Sequence, residues 1–541
     1  MSKKPFHPIL FALSPGLLML AANVSQVLFE DTLRILVFSL LLACVIWSVS
    51  YLITRGGQKA ALLTSLVLIV FFSYGHVFSV LRGLAIGSIL IGRTIIVLPA
   101  FLFALALSSW WILTWHSDAS KITQGVNVIG LFLLAVPLFN VSSYYVRAAI
   151  VESAQTVEFP AELRSLFEGE VPSIYYIILD MRARSDVLET IYDYDDSDFI
   201  DTLESLGFYI AEQSTSNYSS TLQSLSSSLN MGYINYLQDI YGADSNNREP
   251  LGQLLSQNKV IEILTELGYK TGAFQTGDFY TEFRFADEYI KPTAEQIRRY
   301  QNFWSLNAFE STFLNTTLAR VFYDISILSS EIVIEKTIET PYRLHRLTIL
   351  NTIDHLPDFA EKEAPYFVFA HIVSPHPPYI FGLDGEELQH SEPFSLSGPG
   401  RQNGGPEYVR LYVDQLRYID QLILKAVEEI LARSQAPPII IIQADHGPVS
   451  FNGENEIERS NMKEQHAILN AYYFPGGKYE LLYPSVTPVN SFRIVLNTFF
   501  NGEYELLSDR NYFIPHARPY DFVDVTDRVK TDVLTTGSAA P

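Results

Sequence analysis

The 541-residue chain has a single cysteine, Cys44, and it sits inside a long apolar run. No disulfide framework can therefore brace an exported domain, which must hold together through its own core and any metal it binds. Basic residues are short as well: 37 Lys and Arg face 59 Asp and Glu, a formal net charge of -22. That balance argues against a nucleic-acid partner, which needs a basic face to meet phosphates. No internal repeat is found, and after residue 147 the long apolar runs all but stop. A mildly positive mean hydropathy beside so much negative charge means that apolar and charged residues are segregated along the chain.

What is present first is a set of five stretches close to the ~20 apolar residues that a bilayer crossing takes, at 8–28, 33–53, 61–81, 94–115 and 126–146. Lys3, Lys4, Arg55, Lys59 and Lys121 fall on one side of these spans, against Arg82 and Arg93 on the other. The bias predicts a multi-pass cell-membrane protein with a cytoplasmic amino terminus, and five crossings then carry everything after Arg147 outside. A cleavable signal peptide fits worse, because no clear small-residue cleavage site follows the first run and four more spans do. The expected organisation is a transmembrane helical domain at 1–150, a polar linker at 151–170, a catalytic domain at 171–520 and a polar, disordered tail at 521–541.

From Val171 onward β-branched runs alternate with helical patterns. Strands are predicted at 174–179, 270–275, 366–372, 439–443 and 467–474, and helices at 197–206, 259–267, 340–358 and 409–433. Such alternation predicts an α/β domain built on a mostly parallel sheet covered by helices on both faces. The segment 295–334, rich in Asn, Phe and Leu, reads as a helical insertion able to rest on the membrane or on the membrane domain.

Two predicted strands end on ligand-type residues. The run 437–444 leads into Asp445-His446-Gly447, and 173–179 leads into Asp180. Open α/β sheets build their sites at the carboxyl ends of strands, where a tight loop also fixes ligand geometry. Two carboxylates, an imidazole and a hydroxyl oxygen suit one divalent cation, four-coordinate Zn²⁺ or a more expanded Mn²⁺. The hydroxyl is expected from the Ser- and Thr-rich stretch 214–228. It is a weak nucleophile until a cation, or the amino terminus of a helix, favours its anion.

His376, in a proline-stiffened loop after the strand at 366–372, is placed to protonate a leaving group or to hold a nonbridging oxygen. His466, read as opening the strand at 467–474, is a second such residue. Arg184 is placed to neutralise a substrate oxyanion or simply to pair with Asp186. Asp414 and Asp420, on the long helical pattern, read as a solvated face or as anchors between strand and helix. Each of these residues has a plainer reading, since Asp, Ser and Thr cap helices and turns for local reasons. Several ordered motifs in one chain outweigh it.

In chain order, the strand ending in Asp180, Ala183-Arg-Ser-Asp186, Ser216-Asn-Tyr218 with Thr221 and Ser224, Ser374-Pro-His-Pro-Pro378, Ala444-Asp-His-Gly447, Asn470-Ala-Tyr-Tyr-Phe-Pro475 and Pro488-Val-Asn-Ser-Phe-Arg493 resemble the sulfatase-like branch of the alkaline phosphatase superfamily. The amino-terminal helices resemble those of lipoteichoic acid synthases and phosphoethanolamine transferases. The resemblance implies one tightly held metal on Asp180, Thr221, Asp445 and His446, with Thr221 forming a covalent phospho-enzyme. Thr221 is preferred to Ser219 and Ser220 because Thr221-Leu-Gln-Ser224 matches the Thr-x-x-Ser spacing of those transferases. In their pattern histidines such as His376 and His466 serve the transferred group and the leaving group.

Two departures stand out. Met181-Arg182 occupies the place where the family more often has a small residue and then an aromatic. The Cys-x-Pro-x-Arg type of motif that formylglycine-dependent sulfatases need is absent, as are its serine versions. The expected activity is therefore phosphoester hydrolysis or transfer on an envelope lipid or glycan. A sulfate ester hydrolase with an unmodified hydroxyl, or a catalytically silent membrane protein using the fold to bind, are the alternatives.

Overall fold

Each of the five apolar stretches contains a helix in the computed structural model, which describes residues 4–22, 24, 29–81, 85–86, 89–90, 92–115, 118–152, 171–300, 308–321, 339–390, 394–396, 405–450 and 457–534. The chain divides into two units: Met1–Ala154 with Phe303–Thr337, and Gln155–Asn302 with Ile338–Pro541.

The first unit holds α1 (His7–Ala22), α2 (Phe29–Thr54), α3 (Gly57–Leu81), α4 (Thr94–Thr114) and α5 (Ser120–Glu152). Helices α2 to α5 are long and apolar enough to cross a membrane, whereas α1 has only 16 residues. At 1.5 Å per residue α1 reaches about 24 Å, short of the ~30 Å hydrocarbon layer. Leu52, Ile95 and Phe139 point outward from their helices. Exposed apolar side chains of this density fit a membrane location.

Of the insertion read at 295–334, the part from Phe303 onward falls in this unit. Its helix Ala308–Asn315 places Phe309 and Phe313 in a cluster with Leu17, Ile35, Leu36 and Phe72, and Glu310 pairs with Arg34. Beyond it, Gly75 N–H donates to Thr316 O at 3.0 Å and Leu318 N–H to Phe71 O at 2.8 Å. A Cβ at Gly75 would meet the Thr316 backbone at 2.4 Å, so the close approach requires glycine. The boundary expected at 1–150 thus omits a piece of the unit supplied from far along the chain.

In the second unit seven strands form one sheet: β1 (Ile174–Leu179), β2 (Tyr209–Ile210), β3 (Lys270–Phe274), β4 (Glu288–Ile290), β5 (Tyr366–Ile372), β6 (Ile439–Gln443) and β7 (Asn470–Tyr473). Their order is β2-β7-β6-β1-β5-β3-β4. β1 pairs in parallel with β5 and β6, β3 with β5 and β4, and only β7 runs the other way, antiparallel to both β6 and the edge strand β2. Every residue of β1 is buried. Tyr175, Ile177 and Leu179 pack on Phe199, Leu203, Ile419 and Ile423, while Ile174, Tyr176 and Ile178 pack on Leu225, Phe492 and Val495. Alternate side chains thus serve two cores, the signature of a sheet covered on both faces. Two helices matter for the site: α6 (Thr221–Leu229) and α7 (Pro406–Arg433).

Two expectations change. The last predicted strand begins at Asn470, because Met462–His466 forms a short helix; His466 therefore closes a helix rather than opening a strand. The tail expected to be disordered from 521 instead pairs Val523–Asp524 with Tyr512–Phe513 and adds the helix Thr526–Thr531. Val525 and Val529 bury against Met462 and Phe513, a small core that the polar composition hid. Residues 535–541, and the expected linker from 153 to 170, lie outside the described residues.

The turn after β1 is pinned by a fully buried guanidinium. Arg182 Nη2 lies 2.8 Å from Asp196 Oδ2 and 2.9 Å from Asp420 Oδ2, and Nη1 donates to Ala183 O at 2.7 Å. Asp420 is therefore an anchor from helix to strand loop, while Asp414 pairs with exposed Arg410. Removing one member of a buried ion group leaves uncompensated charge. Arg182→Met is expected to destabilise the full-length protein by about 3–5 kcal/mol in denaturant unfolding. Arg410→Met should cost about 0.5 kcal/mol, the scale of an exposed pair within one helix.

A candidate metal centre at the strand ends

β1 and β6 lie side by side, so the residues that follow them emerge together. Asp180 N–H donates to Ile372 O at 3.0 Å, and Asp180 O accepts His376 N–H at 3.1 Å, which ties the loops after β1 and β5. Ligand atoms of Asp180, Asp445 and His446 all lie within 4.8 Å of one another, and all three residues are buried. His446 Nε2 is 3.5 Å from Asp445 Oδ2 and 4.0 Å from Asp180 Oδ1. Its Nδ1 is 2.8 Å from Gly447 O, which fixes the proton there and turns the Nε2 lone pair toward the carboxylates.

Asp180 Oδ1 and Asp445 Oδ2 are buried with no hydrogen-bond partner. Buried carboxylate oxygens left bare are costly, and two of them facing an imidazole lone pair are the donor set of a divalent cation. The residues fit such a metal. Burial first, and then the neighbouring Asp445 charge, push the Asp180 carboxyl up to about 6.

Met181 turns the chain after Asp180 in the left-handed region, at φ 63°. A glycine would adopt that conformation at little cost, whereas Met needs it held. Met181 N–H donates to Asp445 Oδ1 at 3.2 Å, while Tyr412 Oη donates to Met181 O at 2.8 Å and accepts Ala183 N–H at 3.1 Å. These hydrogen bonds, with the buried Arg182 that follows, hold the turn at Met181.

Thr221 is the first residue of α6, and its Oγ1 is 3.3 Å from His446 Nε2. Ser219 Oγ instead accepts Ile514 N–H at 2.9 Å, and Ser224 Oγ donates to Asp445 O at 2.6 Å, so those hydroxyls brace the site. A cavity of about 330 Å³ opens here, with Asp180, Thr221, His376 and His446 on its wall together with Arg248, Asp278 and His516. His376 directs Nδ1 at the carbonyl of Pro377.

Two expected substrate residues lie elsewhere. Arg184 spends Nε and Nη2 on Asp186 at 2.8 and 2.9 Å and Nη1 on Ser214 O at 2.8 Å, so the partner two residues away wins. It does not line the cavity. His466 is buried with Nδ1 2.9 Å from Met462 O and Nε2 3.3 Å from Tyr512 O, and burial lowers its pKa to about 4. It too is absent from the cavity wall.

Other residues escaped the sequence reading. His371 Nε2 lies 3.2 Å from Asp180 Oδ2 and its Nδ1 2.8 Å from Thr281 Oγ1. Burial alone would lower its pKa, but the bond to Asp180 and the charges of Asp180 and Asp445 raise it. Its one sequence signal is a histidine inside the otherwise apolar and aromatic run of β5. Arg248, Asp278 and His516 come from connecting segments with no periodic pattern.

The fold and this site define an enzyme class in which an α/β domain carries a metal-ligand cluster beside a hydroxyl. A family model described as Sulfatase matches residues 176–498, more than half of the chain, and the chain belongs to that family. It is an enzyme of the sulfatase and alkaline phosphatase superfamily. Among solved structures it is similar to the C-terminal periplasmic domain of EptC from Escherichia coli in complex with Zn, at 11% identity and TM-score 0.41, covering 67% of this chain and 94% of that one. It is also similar to the lipooligosaccharide phosphoethanolamine transferase EptA from Neisseria meningitidis, at 11% identity and TM-score 0.34, covering 92% and 95%. A third is the lipoteichoic acid synthase LtaP from Listeria monocytogenes, at 12% identity and TM-score 0.35, covering 68% and 82%. No curated protein matches the chain.

Elemental analysis of protein purified without chelators is expected to give about one divalent metal per chain, and Asp445→Ala none. His371→Leu, by releasing Asp180 Oδ2, should weaken metal affinity about ten- to a hundredfold in a chelator competition. Glu464 Oε1 accepts Tyr192 Oη–H at 2.9 Å and Ser450 N–H at 3.2 Å. Burial pushes this carboxyl up to about 7. The folded state then binds the proton more tightly than the unfolded one, so stability is lost as pH rises from the unfolded pKa through 7. Glu464→Gln should remove that loss, gaining up to about 3 kcal/mol over wild type at pH 8 and little at pH 5 in thermal unfolding.

Proposed function

We propose that the chain is a membrane-anchored hydrolase or transferase of phosphoesters, with Thr221 as nucleophile and one divalent ion, Zn²⁺ or Mn²⁺, held by Asp180, Thr221, Asp445 and His446. The observation that carries the proposal is Thr221 Oγ1 at 3.3 Å from His446 Nε2, beside two buried carboxylate oxygens without partners. The metal, when bound, favours the ionised hydroxyl and neutralises the oxygens of the transferred group.

Thr221 also lies at the positive end of α6, which favours its anion further. Its Oγ1, ionised after releasing its proton to solvent, attacks phosphorus, the bond from phosphorus to the leaving oxygen breaks, and that oxygen takes a proton from His376. The phosphoryl group is left on Thr221. Water or an acceptor alcohol then attacks the same phosphorus and gives its proton to His376, and Thr221 Oγ1 departs as the alkoxide in which it began. His376, with Nδ1 on the Pro377 carbonyl, exchanges its proton at Nε2.

Phosphoesters are preferred because formylglycine chemistry needs a cysteine or serine motif that this chain lacks, its sole cysteine lying in α2. Family membership keeps sulfate ester hydrolysis as the second reading. Apolar helices on the same chain support an envelope lipid or glycan as donor or acceptor, since confinement to a surface raises the encounter rate. The charge bias of the flanking residues supports an extracytoplasmic catalytic domain.

Incubation of the full-length protein with membrane lipids should leave a mass adduct on the peptide that contains Thr221. Thr221→Ala should show no adduct and lose turnover by at least about a thousandfold. Parallel assays on aryl phosphate and aryl sulfate esters separate the two chemistries. Undiminished function in Thr221→Ala would reject the proposal and favour a binding role.

A further inference from the structure

One face of α7 grips two of the loops that build the site, those after β1 and β5, through two side chains a turn apart. Gln415 is fully buried. Its Oε1 accepts Ile380 N–H at 2.8 Å and Phe381 N–H at 3.3 Å, and its Nε2 donates to Pro375 O at 3.3 Å and His376 O at 3.2 Å. Two backbone donors on one side and two carbonyls on the other leave the amide a single sensible orientation. Tyr412, three residues earlier and so on the same face, holds Met181 and Ala183 in the turn after Asp180. Neither residue lines the cavity.

A carboxamide in a dry interior costs free energy unless every polar atom finds a partner. All four partners of Gln415 come from residues 375–381, the loop that carries His376. We infer that Gln415 is a positioning residue for His376, fixing this loop so that the imidazole meets the leaving oxygen, while Tyr412 sets the turn of the metal-ligand loop. The inference rests on the proposed role of His376 as proton donor. It is distinct from a purely structural role for Gln415. Loss of a structural residue slows all substrates alike, whereas displacement of a proton donor slows most those whose leaving group needs the proton.

The test uses the metal-loaded full-length protein in detergent and two esters, ethyl 4-nitrophenyl phosphate and ethyl phenyl phosphate, or the matching aryl sulfates if those are what the protein turns over. His376→Gln should lose far more rate on the phenyl ester than on the nitrophenyl ester. Gln415→Met, close in size but without the amide, should follow it, losing about ten- to a hundredfold on the phenyl ester and about threefold or less on the nitrophenyl ester, with metal content unchanged. In a His376→Gln background the same change should add nothing. Leu416→Ala, a buried neighbour on α7, should reduce both rates alike.

Equal losses on both esters in Gln415→Met, no loss, or additive losses with His376→Gln would overturn the inference. A steep His376→Gln profile beside a flat Gln415→Met profile sinks it alone; a flat His376→Gln profile sinks the proton-donor reading as well. Independently of turnover, the Ile380 and Phe381 amides should exchange hydrogen faster in Gln415→Met, and unchanged exchange would also overturn it.

Discussion

The site depends on a conflict of like charges in a dry place. Asp180 and Asp445 end adjacent strands with an oxygen each that nothing in the protein satisfies, and their mutual repulsion adds to the cost of burial. Left to itself that arrangement would splay. The loops are held because their backbone groups are occupied elsewhere: Asp180 O on His376 N–H, Met181 N–H on Asp445 Oδ1, and Gly447 N–H on Gln465 O. Gly447 has no alternative to glycine, since a Cβ there would lie 2.0 Å from Glu464 O. A cation held by this preorganised donor set would offset that local cost.

This constraint explains why the surrounding polar residues are buried rather than solvated. Arg182 with Asp196 and Asp420, Glu464 with Tyr192, and Gln415 with its four backbone partners are all expensive inside a protein. Each touches the loops or helices next to a ligand. Apolar side chains would fill the same volumes with less desolvation, but they would not fix the register of a loop. Directional bonds do that, since the strands themselves stop at Leu179 and Gln443, short of Asp180 and Asp445.

Much of this was legible in the sequence, for identifiable reasons. Strands β1, β5 and β6 are short apolar runs bounded by polar residues, and ligands placed directly at the ends of β1 and β6 needed no tertiary knowledge. The helix at the start of which Thr221 sits was hidden, because hydroxyl residues disguise helical periodicity. His466 was misread because a five-residue helix precedes β7 and leaves no room for an apolar signature. Arg184 carried its own answer two residues away in Asp186. His371 left one trace, an imidazole in an apolar strand run, while Arg248 and Asp278 were invisible, since what makes them part of the site is the folding of segments far apart in the chain.

The membrane-like unit shows the same limit from the other side. Its helices announce themselves by length and composition, yet the unit is not a continuous piece of sequence. Residues 308–321 pack Phe309 and Phe313 among α1, α2 and α3 and exchange backbone hydrogen bonds with Phe71 and Gly75. An apolar helix rarely accepts such bonds at mid-length, because in hydrocarbon its own carbonyls and amides must pair internally. Here a glycine removes the side chain that would block approach, and the returning segment supplies the partners. The chain that leaves the helical unit after α5 therefore comes back to it once before the second half of the sheet is laid down. Composition marks where apolar surface is needed, but only the returning segment determines how that surface is closed.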